Sequence, residues 1–265
     1  MKIVVCIKQV PETTNVKINE KTKNIDRRGL GGVINPYDLH AVKTALDLKK
    51  SVGGEVITMT MGPNDFAVSL RETLALGADS SILLSDRAFA GADTLATGYV
   101  LAQAIEKIGD VDVVLLGQQS VDADTGQVGP IMAELLSMPQ VTYANKVEAN
   151  NDKLVIDRNL DTVAQRITAQ LPVLLTVTDS INQPEYTNVV EIAKSFNKPL
   201  TTWHAADLNL EEKRVGQAGS PTIVRSISSP EKKTKVGHKL SNDPVEAARE
   251  LVDALRKQNI LTEED

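Results

Sequence analysis

An α/β fold built on a mainly parallel sheet is predicted by three observations. Short β-branched apolar runs alternate with amphipathic stretches of helical period through the first half of the chain. Glycine or proline follows the ends of several elements, as at Pro11, Gly62-Pro63 and Gly77. After Pro139 the texture changes to short alternating segments, the mark of antiparallel hairpins added to the parallel unit. Strand–helix alternation implies parallel pairing through right-handed crossovers, with helices on both faces of the sheet.

The elements follow in order. Lys2–Val10 is an apolar strand ended by Pro11, and Tyr37–Lys50 carries Leu39, Val42, Ala45, Leu46 and Leu48 at helical spacing behind the Asn35-Pro36 start signal. Glu55–Met61 is a buried strand. Asp65–Leu76 is a helix with Gly77 as its C-terminal cap. Ser80–Leu84 is the next strand, and Asp93-Thr94 opens a helix reaching Ile108. Val111–Leu116 and a helix over about Gln127–Ser137 complete the repeating part. Val141–Val147, Lys153–Asn159 and Thr162–Thr168 read as hairpin strands separated by Asn150-Asn151-Asp152 and Leu160-Asp161. Pro172–Thr178 is an apolar strand able to rejoin the main sheet.

From Ser180 the periodicity fades, and 183–240 holds brief apolar clusters, the single Trp203 and a polar run from Ser228 to Lys239. Asp243-Pro244 starts a last amphipathic helix ending near Lys257, with proline at its first turn. The predicted organisation is an α/β nucleotide-binding domain over 1–182 with a hairpin insertion, an extended arm over 183–240, and a C-terminal helix within 241–265. An arm with so little core-forming capacity is either a linker or a surface that packs on a partner.

Composition narrows the function. With 265 residues, 42% hydrophobic, the chain can bury a full core. The formal charge of −6 argues against a nucleic-acid surface, which needs a basic face. The single cysteine, Cys6, forms no internal disulfide and suits a reducing cytosol. No apolar run approaches the ~20 residues that span a bilayer, so a cytoplasmic protein without membrane insertion is expected.

Several chemistries are missing. No strand leads into G-x-G-x-x-G, no G-x-x-x-x-G-K-[ST] is present, and Gly29, Gly31 and Gly32 precede Asn35-Pro36 rather than opening a helix. His40, His204 and His238 are too scattered for a metal site, and no G-x-S-x-G elbow marks a hydrolase. No constellation of covalent catalysis, and so no catalytic residue, stands out.

What remains is a ring of loops at the carboxyl ends of the strands, where open α/β sheets bind ligands. Its richest member runs Gly117, Gln118, Gln119, Ser120, Val121, Asp122, Ala123, Asp124, Thr125, Gly126, Gln127, Val128, from a buried strand into a helix. Backbone N–H groups and the positive helix end there suit a phosphate. Asp122 and Asp124 would repel one, so they suit sugar contacts or helix capping. The other loops hold Cys6–Gln9, Asn35–Asp38, Met61-Gly62-Pro63 and Asp93–Thr97. Thr94 and Thr97 share one helical face and offer hydroxyls and first-turn amides to a ligand, or simply cap and pack.

These segments carry a resemblance. Val4–Pro11, Asn35–Asp38, Met61–Pro63, Leu70–Asp79, Leu116–Gln119 and Asp124–Gln127 stand in order. Ile156-Asp157-Arg158, Asp161, Gln165, Ile167 and Pro172–Thr176 follow in the register of a family signature from which Thr162 and Val163 depart. Over nearly its whole length the chain resembles the β subunit of electron transfer flavoproteins.

The resemblance implies an adenine-nucleotide α-hydrolase-like (Rossmann-like) three-layer domain paired with an α subunit that carries the electron-transferring FAD. It implies a nucleotide site made of Cys6, Asn35, Pro36, Tyr37, Asp38, Met61 and Gly117–Val128. That site holds structural AMP in ordinary members and a second FAD in electron-bifurcating ones. Ala90–Thr97 and Lys8–Thr13 look like the bifurcating group and add Asp93, Thr94 and Thr97 to the cofactor residues. The implied activity is hydride uptake from NADH, with one electron passed to ferredoxin or flavodoxin. The other goes through the α-subunit FAD to an acyl-CoA or hydroxy-acid dehydrogenase. Arg158 matches an arginine facing the α-subunit flavin. Pro184–Lys194 matches a partner-recognition loop, with Tyr186, Val189 and Ile192 as its apolar contacts; as a sequence position alone, Val189 equally suits a buried strand.

Overall fold

The computed structural model describes residues 1–12, 17–18, 25–26, 32–150, 152–225, 237 and 239–261. Thr13, Gly29, Gly31, His238 and most of the polar run Ser228–Lys239 lie outside them.

The alternation read from the sequence becomes a nine-stranded sheet. Its strands are β1 (Lys2–Cys6), β2 (Glu55–Met61), β3 (Ser80–Leu84), β4 (Val113–Gly117), β5 (Gln140–Asn150), β6 (Lys153–Asn159), β7 (Ala164–Gln170), β8 (Val173–Val177) and β9 (Leu200–Trp203). They lie in the order β7-β6-β5-β8-β4-β1-β2-β3-β9. The run from β5 to β9 is parallel, and β5-β6-β7 is an antiparallel meander at one edge.

Helices α1 (Pro36–Val52) and α2 (Ala67–Leu76) cover one face; α3 (Thr94–Ile108) and α4 (Val128–Leu135) cover the other. Alternate strand residues supply the two cores. Ile3, Val5, Val56, Leu83, Val113, Leu115, Val173 and Leu175 pack beneath α1 and α2. Val4, Cys6, Ile57, Met59, Ile82, Val114, Leu116 and Leu174 meet Tyr99, Val100, Ala104 and Met132 of α3 and α4. Strands buried on both faces read as continuous apolar runs, which is why β2, β3 and β8 were legible in the sequence.

The structure departs from the sequence expectation at the first strand and within 183–240, and it keeps the expected hairpin. The first strand ends at Cys6 instead of Val10, because the chain turns at Ile7-Lys8, and Gln9–Pro11 pairs antiparallel with Gly32–Ile34 in a separate ribbon. The hairpin at the departure positions closes with reciprocal Leu160 and Val163 backbone hydrogen bonds, 2.9 and 3.3 Å, around Asp161-Thr162. Within 183–240, Val189–Ser195 forms α5 against α2, and Leu200–Trp203 is strand β9, parallel to β3. An edge strand of four residues has only one strand neighbour. Thr201 and Thr202 are exposed, so its hydropathy signal is weak.

The chain divides into two compact units, Met1–Ser226 and Ile227–Asp265. The second contains α6 (Pro244–Lys257), with Pro244 in its first turn. Asp243 caps it by accepting the Val245 and Glu246 N–H groups at 3.0 and 2.9 Å. No described helix is long and apolar enough to cross a membrane.

Candidate functional site: a knot of loops beside a run of free amides

The carboxyl ends of β1 and β4 are tied together by the start of α1. Asp38, buried in the first turn of α1, accepts the Lys8 N–H through Oδ2 at 2.8 Å and the Gly117 N–H through Oδ1 at 2.9 Å. Burial pushes its carboxyl up to about 7, although both backbone donors, Asn35 and the Lys8 charge pull the other way. Asn35, fully buried, donates from Nδ2 to the Gln119 carbonyl at 2.8 Å and accepts the Val121 N–H at 3.1 Å. Lys8 completes the knot: its Nζ reaches Ser120 Oγ at 3.1 Å and Asp122 Oδ1 at 2.6 Å, and its carbonyl accepts the Asn35 N–H.

This packing leaves no room for a side chain at Gly117. A Cβ there would lie 2.5 Å from Tyr37 Cβ and 2.6 Å from Asp38 Oδ1. Pro36, at the first helical position, has no N–H to leave unsatisfied. Cys6 lies beside the knot in the opposite core, where burial first and the Asp38 charge second push its thiol up, so it is a packing group rather than a nucleophile. Met61 is half-buried at the end of β2, in the same core.

Beyond the knot the loop changes character. Ser120 O accepts the Ala123 and Asp124 N–H groups, and Asp124 and Gly126 take left-handed conformations with φ of 50° and 60°. Gln119 Nε2 donates to Asp124 Oδ1 at 3.1 Å. From Thr125 to Gly129, five consecutive backbone N–H groups donate to nothing among the described residues, and no side chain caps α4 at Gln127. The capping role expected for Asp122 or Asp124 is therefore not realised; one pairs with Lys8 and the other with Gln119. Both carboxylates have protein partners, Lys8 and Gln119, and unpaired amides at a helix start suit an anion.

The start of α3 joins this loop, since Thr94 Oγ1 donates to Gln127 Oε1 at 2.9 Å. Thr97 is half-buried one turn on, and its N–H goes to the Asp93 carbonyl. Asp93 caps α3 by accepting the Leu95 and Ala96 N–H groups. Burial opposes its ionisation, but the donors from Ala96, Thr222 and Leu95 prevail and hold it below the usual carboxylate range.

Two predicted groups lie apart from the knot. Arg158, on β6, is held by Gln165 Oε1 at 2.7 Å and reaches Thr142 Oγ1 at 3.5 Å. Val189 opens α5 and is 81% exposed, which removes the buried-strand alternative; Tyr186 is fully exposed and Ile192 partly so. Arg71 fixes this helix, donating to the Ser195 and Lys198 carbonyls at 2.8 and 3.0 Å beneath the Phe196 ring.

Two surface depressions lie elsewhere. One of about 190 Å³ lies along α1 under Pro184-Glu185, and one of about 560 Å³ lies between α1 and β5. Free directional donors outweigh volume here, because a phosphate is recognised by N–H groups rather than by space. Lys8, Ser220 and Thr222 were not anticipated as contributors. Lys8 stood in the loop without a signal for its reach, and the other two meet Asp93 across well over a hundred residues of chain.

Comparison with known proteins gives a family match. Residues 22–208 match the electron transfer flavoprotein domain. The chain is 42% identical over 262 residues to an electron transfer flavoprotein subunit beta of Thermoanaerobacterium thermosaccharolyticum, covering 98% of this chain and 100% of that protein. It is 42% identical over 264 residues to the caffeyl-CoA reductase-Etf complex subunit CarD of Acetobacterium woodii, with coverage of 98% and 100%. It is 41% identical over 239 residues to protein FixA of Azorhizobium caulinodans, with coverage of 87% and 85%.

Proposed function

This chain belongs to the electron transfer flavoprotein family as a β-subunit type, and from that membership we propose that its loop knot holds the adenylate half of an FAD in an electron-bifurcating heterodimer. The observation that carries the proposal is the run of free N–H groups from Thr125 to Gly129 at the start of α4. The adjoining knot of Asn35, Asp38 and Lys8 fixes where those donors stand.

The chemistry supplied by bound FAD would be hydride acceptance from NADH and division of the electrons. One would go to ferredoxin or flavodoxin, the other through the α-subunit FAD to an acyl-CoA or hydroxy-acid dehydrogenase. The residues of this chain bind and orient. The amides of Thr125–Gly129 would receive phosphate oxygens, the partners that a helix start otherwise leaves to solvent. Gly117 lets the start of α1, with Tyr37 and Asp38, close on the end of β4, which would set the loops around the nucleotide. Thr94 and Thr97 present hydroxyls at the start of α3, where the cofactor would extend past Gln127. Arg158 would face the α-subunit flavin. The exposed Tyr186, Val189 and Ile192 would dock a dehydrogenase as an apolar anchor in a polar rim. Such a complex is expected in the cytoplasm.

The test is to count nucleotides released from the co-purified α/β heterodimer. Two FAD and no AMP per heterodimer supports the proposal. One FAD with one AMP replaces it with a non-bifurcating carrier whose β site holds structural AMP.

A further inference from the structure

We propose that the segment Ser220–Thr222 is a strap that positions the α3 wall of the cofactor site through Asp93, which acts as a positioning residue and not as a cofactor ligand; the inference rests on the FAD reading above. Asp93 has no hydrogen-bonding capacity left for a ligand. Its Oδ1 accepts the Leu95 and Ala96 N–H groups at 3.0 and 3.1 Å. Its Oδ2 accepts the Thr222 N–H at 3.1 Å and the Thr222 hydroxyl at 2.8 Å. Four donors fill the roughly four acceptor sites of a carboxylate. Its own N–H donates to Ser220 Oγ at 2.8 Å.

The strap is itself anchored. Ser220 Oγ donates to the Gly216 carbonyl at 2.7 Å, and the Gln217 N–H to the Ala90 carbonyl at 3.1 Å. At Gly216 (φ +56°) a Cβ would stand 2.1 Å from the Ala88 carbonyl oxygen, so glycine is required for this close approach. The residue after Asp93 is Thr94, whose hydroxyl holds Gln127 of the free-amide loop. A continuous path therefore runs from strap to Asp93, to Thr94, to Gln127. It ends at Gln127, within the Thr125–Gly129 run of amides.

Two consequences distinguish a strap from a ligand. Loosening it would disturb the Gln127 end of the amide run, where FAD and AMP alike would place a phosphate. The hydrogen bonds of the Asn35–Asp38 knot would stay in place. The Thr222 side chain should also be replaceable by any that keeps the hydroxyl.

The experiment titrates the full chain, stripped of nucleotide, separately with AMP and with FAD. Thr222→Val is expected to weaken FAD and AMP alike by about tenfold, the loss of one charge-assisted hydrogen bond, with amide hydrogen exchange at Val121 in the knot unchanged. Thr222→Ser is expected to restore the binding of both. Should the valine variant fail to fold, Ser220→Ala removes the other rung and carries the same expectation. Unchanged affinity for both nucleotides, raised exchange at Val121, or failure of the serine rescue would overturn the strap while leaving the site intact. A wild-type chain that binds neither nucleotide would overturn the cofactor reading and the strap together.

Discussion

Asp38 and Gly117 form the closest link between the first turn of α1 and the end of β4: the carboxylate accepts the glycine N–H at 2.9 Å, against a backbone too close for any Cβ. The same carboxylate takes the Lys8 N–H from the end of β1. One buried acid thus sets the distance between two strand-end loops.

Its ionisation should therefore be visible in stability. The folded-state pKa is raised to about 7 from an ordinary 3.8, so the folded chain binds the extra proton between those values. The contribution of Asp38 is fully present below about pH 3.8 and is lost as pH rises through about 7, with a slope of about 1.4 kcal/mol per pH unit inside that window. Asp38→Asn, which resembles the protonated form, should lack this component. Urea unfolding from pH 5 to 8 should show the wild-type advantage over the variant shrinking as pH rises. Parallel curves would refute the assignment.

Gly117→Ala tests the close approach itself. With a Cβ placed 2.5 Å from Tyr37 Cβ, the start of α1 must move, at a cost of about 1–3 kcal/mol. Nucleotide retention should fall with it, measured as the AMP or FAD released from purified protein. Unchanged melting temperature and unchanged nucleotide content would show that the loops tolerate the shift.

Asn35→Ala should unpick the other half of the knot. It leaves the Gln119 carbonyl and the Val121 N–H without their buried partner, at about 1–3 kcal/mol for each unpaired group. Amide hydrogen exchange should rise sharply at Val121 and stay near wild type at β3, two strands from β1. Uniform loss of protection over both places would indicate global unfolding instead.

Legibility in the sequence followed the physical signal of each part. β2 and β3 carry the predicted boundaries because both faces are buried and the run is mostly apolar or β-branched. β9 was missed because one neighbour buries too little of Leu200–Trp203 to print a pattern. The loop 117–128 stood out by composition, but its internal roles did not. Nothing local in the sequence says that Lys8 reaches Asp122, that Asp124 turns to Gln119, or that Thr222 meets Asp93, since each contact is made by folding. The electron transfer flavoprotein family emerged from ordered segments. The donors that would hold the phosphate emerged only from finding which amides remain unpaired.

The hydroxyls at the start of α3 provide a last test of how far the site extends. Thr94 Oγ1 now donates to Gln127 Oε1, and Thr97 lies one turn further on the same face. Thr94→Val with Thr97→Val keeps the shape and removes both hydroxyls. It also leaves the α3 cap untouched, because that cap uses Asp93 and backbone amides. In the co-purified heterodimer the double variant should lose flavin from the β site about tenfold more readily than from the α site, the effect of one or two lost hydrogen bonds. Dialysis against flavin-free buffer with flavin counting reads this directly. Equal loss from both sites would place the effect at the subunit interface. No loss from either would confine the cofactor to the adenylate knot, as AMP would be.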